Sequence, residues 1–332
     1  MDTQKTILIT GASSGLGLSH AIYLAFKGYN VIGTCRKAEN LVPAELKERY
    51  LRDHMKYEFS NVEKTEVKAK KLLIPEAIVN QLDVLLEKIR FINMDITLDD
   101  AVDNAINKIC SDVVPDVLLN NAGHSHWGTV EESDINDLKD LFEVNFFGQL
   151  RVLKAIIPYM RGKKSGLIIN TTSMASIVGL PFGSFYSASK SGMERITEAL
   201  FIELKEFNIR VCTIMPGDIN TAINANMVGR QNGAENFSST DINPMLNAHP
   251  LQKNSLYFAS SKKIWDSFIR NHISAPTPNI VSKKVEKIIK TKDPRIHYRI
   301  GTMEQTKFFP FIKSLVPNKV FLKILAKAFG IN

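Results

Sequence analysis

The sequence predicts an α/β fold: a doubly wound parallel sheet of the Rossmann type, in three α/β/α layers. An apolar β-type run, Thr6–Thr10, leads through a glycine-rich turn into a helical pattern that continues to Ala25. Strand-like and helix-like segments then alternate along the chain, which is typical of βαβ units in a parallel sheet. With 44% apolar residues, the 332-residue chain can also bury a large core.

Short apolar runs predict further strands at residues 29–34, 90–96, 116–120, 166–172, 209–215 and 295–300. Residues 38–89 are too long for an ordinary connection and have a helical period, so we expect a helical insertion there. Residues 218–278 are irregular and rich in Asn, Ser and Pro, and we interpret them as the segment that lines a ligand crevice. A helical period returns at residues 280–291. The resulting prediction is one domain over residues 1–302 and a C-terminal extension over residues 303–332.

The formal net charge of +8 is concentrated near the C-terminus, where twelve Lys or Arg and three Asp or Glu fall between Lys283 and Lys327. The rest of the chain sums to −1, which is not the footprint of a general nucleic-acid binder. We find no signal peptide and no apolar run long enough to span a membrane, and expect a cytoplasmic protein. Three separated cysteines have no partners at metal-ligand spacing and are interpreted as buried apolar residues, and no metal site is predicted.

The last helical segment has lysines at every fourth position: Lys319, Lys323 and Lys327. They form one polar stripe on an otherwise apolar helix, which can lie on a membrane surface or pack against protein. Docking on the chain's own fold or on a second subunit is the preferred interpretation, and peripheral membrane contact is the alternative.

Two local patterns point to a dinucleotide. Glycines between the first strand and the first helix let the backbone approach a pyrophosphate, while the helix N-terminus offers free N–H groups to it. The second strand ends at Cys35, followed by Arg36, where an NAD site would usually carry an acid for the ribose 2′-hydroxyl. A guanidinium suits a 2′-phosphate, so NADP is predicted over NAD.

The stretch from Ser173 to Lys190 holds a hydroxyl, a phenol and an amine. Tyr186 and Lys190 are four residues apart, one turn of a helix, so both side chains lie on one face. A nearby ammonium favours the phenolate, and together with a cationic oxidised nicotinamide we expect it to lower the pKa of Tyr186 towards neutrality. The aromatic residues Phe182 and Phe185 within this stretch can select a substrate or pack in the core, and the sequence leaves this open.

Taken together and in order, these motifs resemble the short-chain dehydrogenase/reductase family, over most of residues 5–301. The residues that carry the resemblance are Thr10, Gly11, Gly15, Gly17, Asp95, Asn120, Asn121, Ala122, Gly123, Asn145, Ser173, Tyr186, Lys190, Pro216, Gly217 and Thr221. The stretch near Gly179 resembles the branch that acts on steroids, retinoids and other hydrophobic alcohols or ketones.

The resemblance implies roles for these residues. Tyr186 would exchange a proton with the substrate oxygen, Ser173 would hold that oxygen, Lys190 would bind the nicotinamide ribose, and Asn145 would hold a water that links Lys190 to solvent. The implied cofactor site comprises Thr10, Gly11, Ser13, Ser14, Gly15, Leu16, Gly17, Arg36, Asp95, Asn121, Ala122, Gly123, Tyr186, Lys190, Pro216, Gly217, Ile219 and Thr221.

The expected function is therefore NADP(H)-dependent interconversion of an alcohol and a ketone or aldehyde on a hydrophobic substrate, by a homo-oligomer, either a dimer or a tetramer. Two alternatives stay open at this point. One is an NADPH-binding sensor or scaffold whose partner surface is the insertion. The other is an epimerase or dehydratase on the same frame, which would consume no cofactor.

Overall fold

A computed structural model of the protein describes residues 4–59, 67–231 and 249–331. The strands within these ranges are β1 (Thr6–Thr10), β2 (Asn30–Cys35), β3 (Met55–Phe59), β4 (Val67–Leu72), β5 (Arg90–Asn93), β6 (Val117–Asn120), β7 (Gly166–Thr171), β8 (Ile209–Pro216) and β9 (His297–Ile300). The α-helices are α1 (Gly15–Phe26), α2 (Pro43–Asp53), α3 (Glu76–Val79), α4 (Leu82–Glu87), α5 (Asp99–Asp112), α6 (Ile135–Phe142), α7 (Gln149–Lys163), α8 (Ser184–Glu203), α9 (Ile223–Gln231), α10 (Phe258–Ser274), α11 (Asn279–Lys290), α12 (Phe309–Leu315) and α13 (Asn318–Ala328).

Within the described residues, seven strands form one sheet in the order β5-β2-β1-β6-β7-β8-β9, and every neighbouring pair is parallel. The chain builds outward from β1 in one direction to β5 and in the other to β9. The strand order reverses between β1 and β6, and ligands of such sheets bind beyond the carboxyl ends of the strands at this point. The predicted doubly wound parallel sheet is confirmed.

The alternation of side chains along β1 explains the three layers. Ile7 and Ile9 point to the face covered by α1 and α11, whereas Leu8 points to the face covered by α5 and α7. Successive residues of a strand face opposite sides, so an apolar residue at every position of β1 requires helices on both faces. All of these side chains are fully buried.

The prediction for residues 38–89 is right for the helices α2, α3 and α4, but it missed the antiparallel hairpin of β3 and β4. The sequence of β4, Val-Lys-Ala-Lys-Lys-Leu, is charged and short, so its pattern was indistinguishable from the surrounding helical segments. The hairpin packs against α10, and the Asn220 side chain donates a hydrogen bond to the Met55 carbonyl at 2.8 Å. The insertion therefore contacts the segment that follows β8.

The expectation of irregular structure at residues 218–278 is wrong for α9 and α10. Helix α10 buries Ile264, Trp265, Ile269 and Ile273, which recur at helical spacing. Clusters of Asn, Ser and Pro around the helix concealed this period in the sequence. Part of the segment, residues 232–248, lies outside the described residues.

The C-terminal extension folds back on the sheet domain. Helix α13 buries Phe321 and Leu325, whose exposed fractions are 2% and 7%. Among the described helices, none is both long enough and apolar enough to cross a membrane.

Candidate active site

A cavity of about 710 Å³ lies at the carboxyl ends of β1, β2, β6, β7 and β8. Most of the residues predicted for the site line it: Gly11, Ser13, Ser14, Gly15, Leu16, Arg36, Asp95, Asn121, Ala122, Gly123, Ser173, Tyr186, Lys190, Pro216, Gly217, Ile219 and Thr221. Three of the predicted residues do not line the cavity: Thr10, Gly17 and Asn145. The fold thus brings together residues that are as much as 210 positions apart in the sequence, from Gly11 to Thr221.

The glycine loop opens one end of this cavity. Gly11 and Gly15 have φ angles of 68° and 54°, in the left-handed region that glycine adopts without strain. At Gly17 a Cβ atom would lie 2.1 Å from the Gly11 carbonyl oxygen, so only glycine lets α1 pack this closely on the loop. Ser14, the N-cap of α1, makes no side-chain capping bond. The loop therefore presents backbone and a helix N-terminus towards the cavity.

Thr10 braces this loop from behind. Its hydroxyl oxygen accepts hydrogen bonds from the backbone amides of Asn121 and Ala122 at 2.8 and 2.9 Å, and the Asn121 side chain donates to the Thr10 carbonyl at 3.0 Å. These bonds tie the end of β1 to the segment after β6. Thr10 is fully buried, so its place in the site is that of a support.

Ser173 and Tyr186 meet on the opposite side of the cavity. The Ser173 hydroxyl caps a short 3₁₀ turn by accepting from the Ala175 amide at 3.1 Å, and it donates to the Pro216 carbonyl at 3.3 Å. Tyr186 is hydrogen-bonded to Ser173. Burial raises the pKa of Tyr186 above its ordinary value, and the bond to Ser173 only partly offsets this. The protein alone therefore does not lower the phenol pKa, and the lowering predicted for the complex with an oxidised nicotinamide stays a prediction.

The reason lies in the position of Lys190. Its Nζ atom lies 5.8 Å from the centre of the Tyr186 ring and donates to the Thr171 carbonyl at 3.0 Å. Only 3% of the residue is exposed, and burial lowers the pKa of Lys190 to about 8. The amine thus points past the phenol ring towards the end of β7.

Asn145 lies behind Lys190 on a π-helical turn, Glu143–Gly148, between α6 and α7. Its side chain accepts from the His124 amide at 2.9 Å and donates to the His124 carbonyl at 2.8 Å. A Cβ atom on Gly123 would lie 3.0 Å from the Asn145 Oδ1 and 3.2 Å from the Lys190 Nζ. Gly123, Asn145 and Lys190 therefore form one tightly packed group, and the role of Asn145 as a water ligand stays a prediction.

Cationic groups surround the outer end of the glycine loop. Arg36 is exposed and lines the cavity, as predicted. Arg49 of α2 was not predicted, although its guanidinium lies 3.4 Å from the Ser13 carbonyl oxygen. Nothing in the local sequence distinguishes Arg49 from other charged helix residues, because its position depends on how the insertion folds onto the loop. Asp95 accepts two bonds from Thr97 through one carboxylate oxygen.

Aromatic and aliphatic side chains form part of the cavity wall. Trp127 is packed against Phe268, Trp265 and Phe182, with ring centres 5.6, 5.1 and 5.9 Å away. Trp127 and Phe268 line the cavity, whereas Phe182 and Phe185 do not, which favours the packing interpretation of these two residues. The C-terminal extension completes the wall with Phe309, Pro310, Phe321, Leu325 and Phe329. None of these wall residues was predicted.

Comparison with known proteins agrees with this geometry. Residues 70–232 match the family model for short chain dehydrogenases. Over 318 residues the chain is 30% identical to the 3-ketodihydrosphingosine reductase of Bacteroides thetaiotaomicron, covering 95% of this chain and 94% of the relative. The chain belongs to the short-chain dehydrogenase/reductase family. As a member of this family, it is an oxidoreductase that binds a nicotinamide cofactor.

Other members of the short-chain dehydrogenase/reductase family match along most of their length. The chain is 28% identical to retinol dehydrogenase 8 of Bos taurus, with 91% of this chain and 83% of the relative covered. It is 26% identical to the NADPH-dependent 1-acyldihydroxyacetone phosphate reductase of Saccharomyces cerevisiae, with 99% and 92% covered. The crystal structure of a short-chain dehydrogenase from Streptomyces avermitilis superposes with a TM-score of 0.67 at 24% identity, covers 99% of this chain and 98% of its own, and supports the fold.

Proposed function

We propose that this chain is an NADP(H)-dependent oxidoreductase that interconverts an alcohol and a ketone or aldehyde on a hydrophobic, lipid-like substrate, with Tyr186 as the general acid and base. One observation carries the proposal. The hydroxyl of Ser173, the phenol of Tyr186 and the buried amine of Lys190 border a single cavity whose wall also includes a set of aromatic and aliphatic side chains. A polar reacting group and an apolar body of one substrate would each meet a matching surface.

The glycine loop fits a dinucleotide. The positive φ angles of Gly11 and Gly15 and the uncapped N-terminus of α1 leave backbone N–H groups and space for a pyrophosphate. Asp95 uses one carboxylate oxygen for Thr97 and would use the other for an adenine amine, and Thr221, which lines the cavity, would contact the carboxamide as the family resemblance implies. When bound, the nicotinamide supplies or accepts the hydride.

Arg36 and Arg49 support a preference for NADP. Arg36 directly follows β2 and lines the cavity, at the position where a dinucleotide's adenosine ribose is bound in folds of this type. The Arg49 guanidinium lies 3.4 Å from the Ser13 carbonyl oxygen of the glycine loop. Two guanidinium groups favour a dianionic 2′-phosphate over a neutral hydroxyl, because charge-assisted hydrogen bonds are stronger than neutral ones. The NADPH-dependent yeast relative is consistent with this preference.

Tyr186 exchanges the proton with the substrate oxygen. The phenol is protonated near neutral pH, since its pKa is not below the ordinary value, and can donate to the oxygen of a ketone as that oxygen gains negative charge. The Ser173 hydroxyl would hold the same oxygen as a second donor placed in advance. Lys190, with a pKa of about 8 and its Nζ 5.8 Å from the centre of the Tyr186 ring, can exchange protons near neutrality and would restore the phenol proton.

The substrate class rests on the apolar wall and on the relatives. Trp127, Phe268, Phe321 and Leu325 form a surface that suits an alkyl chain or a fused ring better than a sugar or an amino acid. Three relatives are named for a ketodihydrosphingosine, for retinol and for an acyldihydroxyacetone phosphate, all of which have apolar bodies.

The test is a screen of ketones and alcohols that share one reacting group and differ in apolar chain length, followed by NADPH absorbance with NADH as the control. We expect kcat/KM to rise with chain length and to be higher with NADPH. The absence of turnover across the whole panel would overturn the proposal, and a preference for the shortest, most polar members would overturn the substrate class.

A further inference from the structure

The C-terminal cover, which we define as residues 303–329, has two different faces. Its inner face closes the cavity with the side chains of Phe309, Phe321, Leu325 and Phe329. Its outer face exposes Phe308, Phe311 and Leu315, with exposed fractions of 56%, 62% and 65%. The cover therefore has apolar side chains on both faces, one towards the cavity and one towards solvent.

The cover is fastened to two segments that line the cavity. The Gln305 side chain accepts from the Asp218 amide at 3.1 Å and donates to the Asp218 carboxylate at 2.6 Å, which ties it to the segment after β8. Lys313 donates to the Ile177 carbonyl, within the stretch between Ser173 and Tyr186. The cover is thus held against the site that would receive a substrate.

The exposed apolar side chains are concentrated on this face. Nineteen large apolar side chains are exposed among the described residues, and seven of them fall between Met303 and Ile324. On α13 they are Val320, Leu322 and Ile324. Apolar patches of this kind mark surfaces that contact a partner or a membrane.

Basic side chains accompany the apolar ones. The sequence of the cover contains five lysines and a single acid, Glu304. Lys307, Lys319, Lys323 and Lys327 are exposed on it. A second copy of this chain would bring the same positive surface against itself in a two-fold contact, which is unfavourable. Anionic lipid headgroups above an apolar layer match both the charge and the hydrophobicity of the face.

We propose that the outer face of the C-terminal cover docks on a membrane surface that contains anionic lipids. The apolar side chains enter the boundary between headgroups and acyl chains, and the lysines pair with the headgroups. The cavity that the cover lines then lies close to the lipid phase, which shortens the path of a hydrophobic substrate to Tyr186. This last consequence rests on the proposed function, whereas the docking does not.

The experiment is vesicle flotation of the full chain, because deletion of the cover would remove part of the cavity wall. Vesicles of phosphatidylcholine alone are compared with equal parts of phosphatidylcholine and phosphatidylglycerol. We expect flotation with the mixed vesicles, little with phosphatidylcholine alone, and loss of flotation at high salt. Each lysine near an anionic surface contributes about fivefold to partitioning.

Two sets of variants test the face itself. Lys319→Glu with Lys323→Glu should reduce flotation on mixed vesicles at least about 25-fold, and Leu322→Glu with Phe311→Glu should reduce it comparably. The matched controls are Lys154→Glu on α7 and Leu256→Glu, which change exposed residues far along the chain from the cover. Circular dichroism and turnover of a short, water-soluble ketone should be unchanged in all of them.

Several outcomes would overturn the docking proposal. These are no flotation on mixed vesicles, equal flotation on both vesicle types, equal loss in the control variants, or a concentration-dependent dimer in light scattering that Leu322→Glu abolishes. Flotation needs no turnover, so a protein that floats but reduces no ketone contradicts the proposed function and leaves the docking proposal standing.

Discussion

Lys190 donates a hydrogen bond to the Thr171 carbonyl at 3.0 Å, although helical spacing places it one turn from the Tyr186 phenol. The amine is almost completely buried, and its pKa is lowered from 10.5 to about 8. Below pH 8 the folded protein must keep a charge in a poorly solvated place. Lys190, the candidate catalytic lysine, therefore destabilises the folded protein below pH 8.

The linkage predicts how stability depends on pH. Between about pH 8 and 10.5 the unfolded lysine is protonated and the folded one is not, so the unfolded state binds more protons and stability rises with pH. The full change is about 3 kcal/mol. We expect the free energy of unfolding of the wild type to rise by this amount relative to Lys190→Met from pH 7.5 to 10.5, measured by urea denaturation. A constant difference between the two proteins would contradict it.

Tyr186→Phe tests the acid–base role. The substitution keeps the ring and removes the hydroxyl, so kcat for ketone reduction should fall by a factor of about 10² to 10⁴. The dissociation constant for NADPH, measured by cofactor fluorescence, should stay nearly unchanged. Tyr159→Phe is the matched control, because this phenol only donates to Asn107 on the surface. Retention of turnover in Tyr186→Phe would remove the mechanism.

The elements that could be predicted from sequence are those with local signals. The strands, the glycine loop and the Tyr186–Lys190 spacing are encoded by periodicity and by glycine within a few residues. The hydrogen bond from Lys190 to the Thr171 carbonyl and the part of the cavity wall formed by Phe321 could not be predicted, because both depend on how separate elements pack in the fold. Asp218 and Gln305 illustrate this, since 87 residues separate them.

Arg36→Asp should reverse the cofactor preference. The guanidinium is replaced by an acid that repels a 2′-phosphate and accepts from a 2′-hydroxyl, so the ratio of kcat/KM for NADPH over NADH should fall at least about tenfold. Arg49→Gln should lower the same ratio by a smaller factor. Arg299→Asp is the control, on the edge strand β9 far across the sheet. An unchanged ratio in Arg36→Asp would refute the assignment.

Buried histidines should make the fold sensitive to acid. His20, His54 and His272 are buried, and burial lowers their pKa values from 6.5 to about 3, 4 and 4. Between pH 6.5 and 4 the unfolded histidines bind protons that the folded ones do not, so stability falls as pH falls.

Each histidine contributes about 1.4 kcal/mol per pH unit in this window. Urea denaturation at several pH values should therefore show a steep loss below pH 6.5, and His20→Gln should remove about a third of the histidine contribution to the slope. The interval from pH 7 to 8 is the internal control, because none of these groups titrates there. An identical slope for His20→Gln and the wild type would contradict the linkage.

Gly123→Ala tests whether Gly123, Asn145 and Lys190 are packed as tightly as their distances indicate. The added methyl would lie 3.2 Å from the Lys190 Nζ and 3.0 Å from the Asn145 Oδ1, and Asn145 is fixed by two bonds to the His124 backbone. The Lys190 side chain must therefore move, and we expect its amine to shift away from the Thr171 carbonyl. Overpacking of this kind costs about 1–3 kcal/mol.

We expect Gly123→Ala to lower kcat as well as stability, because the displaced amine is the one that would restore the phenol proton. Gly179→Ala is the matched control: it lies in the stretch between Ser173 and Tyr186, and within the described part of the chain no atom lies within 4 Å of its added methyl. That variant should stay within about 0.5 kcal/mol of the wild type and keep its turnover. Equal effects of the two substitutions would show that the position of Lys190 does not control the reaction.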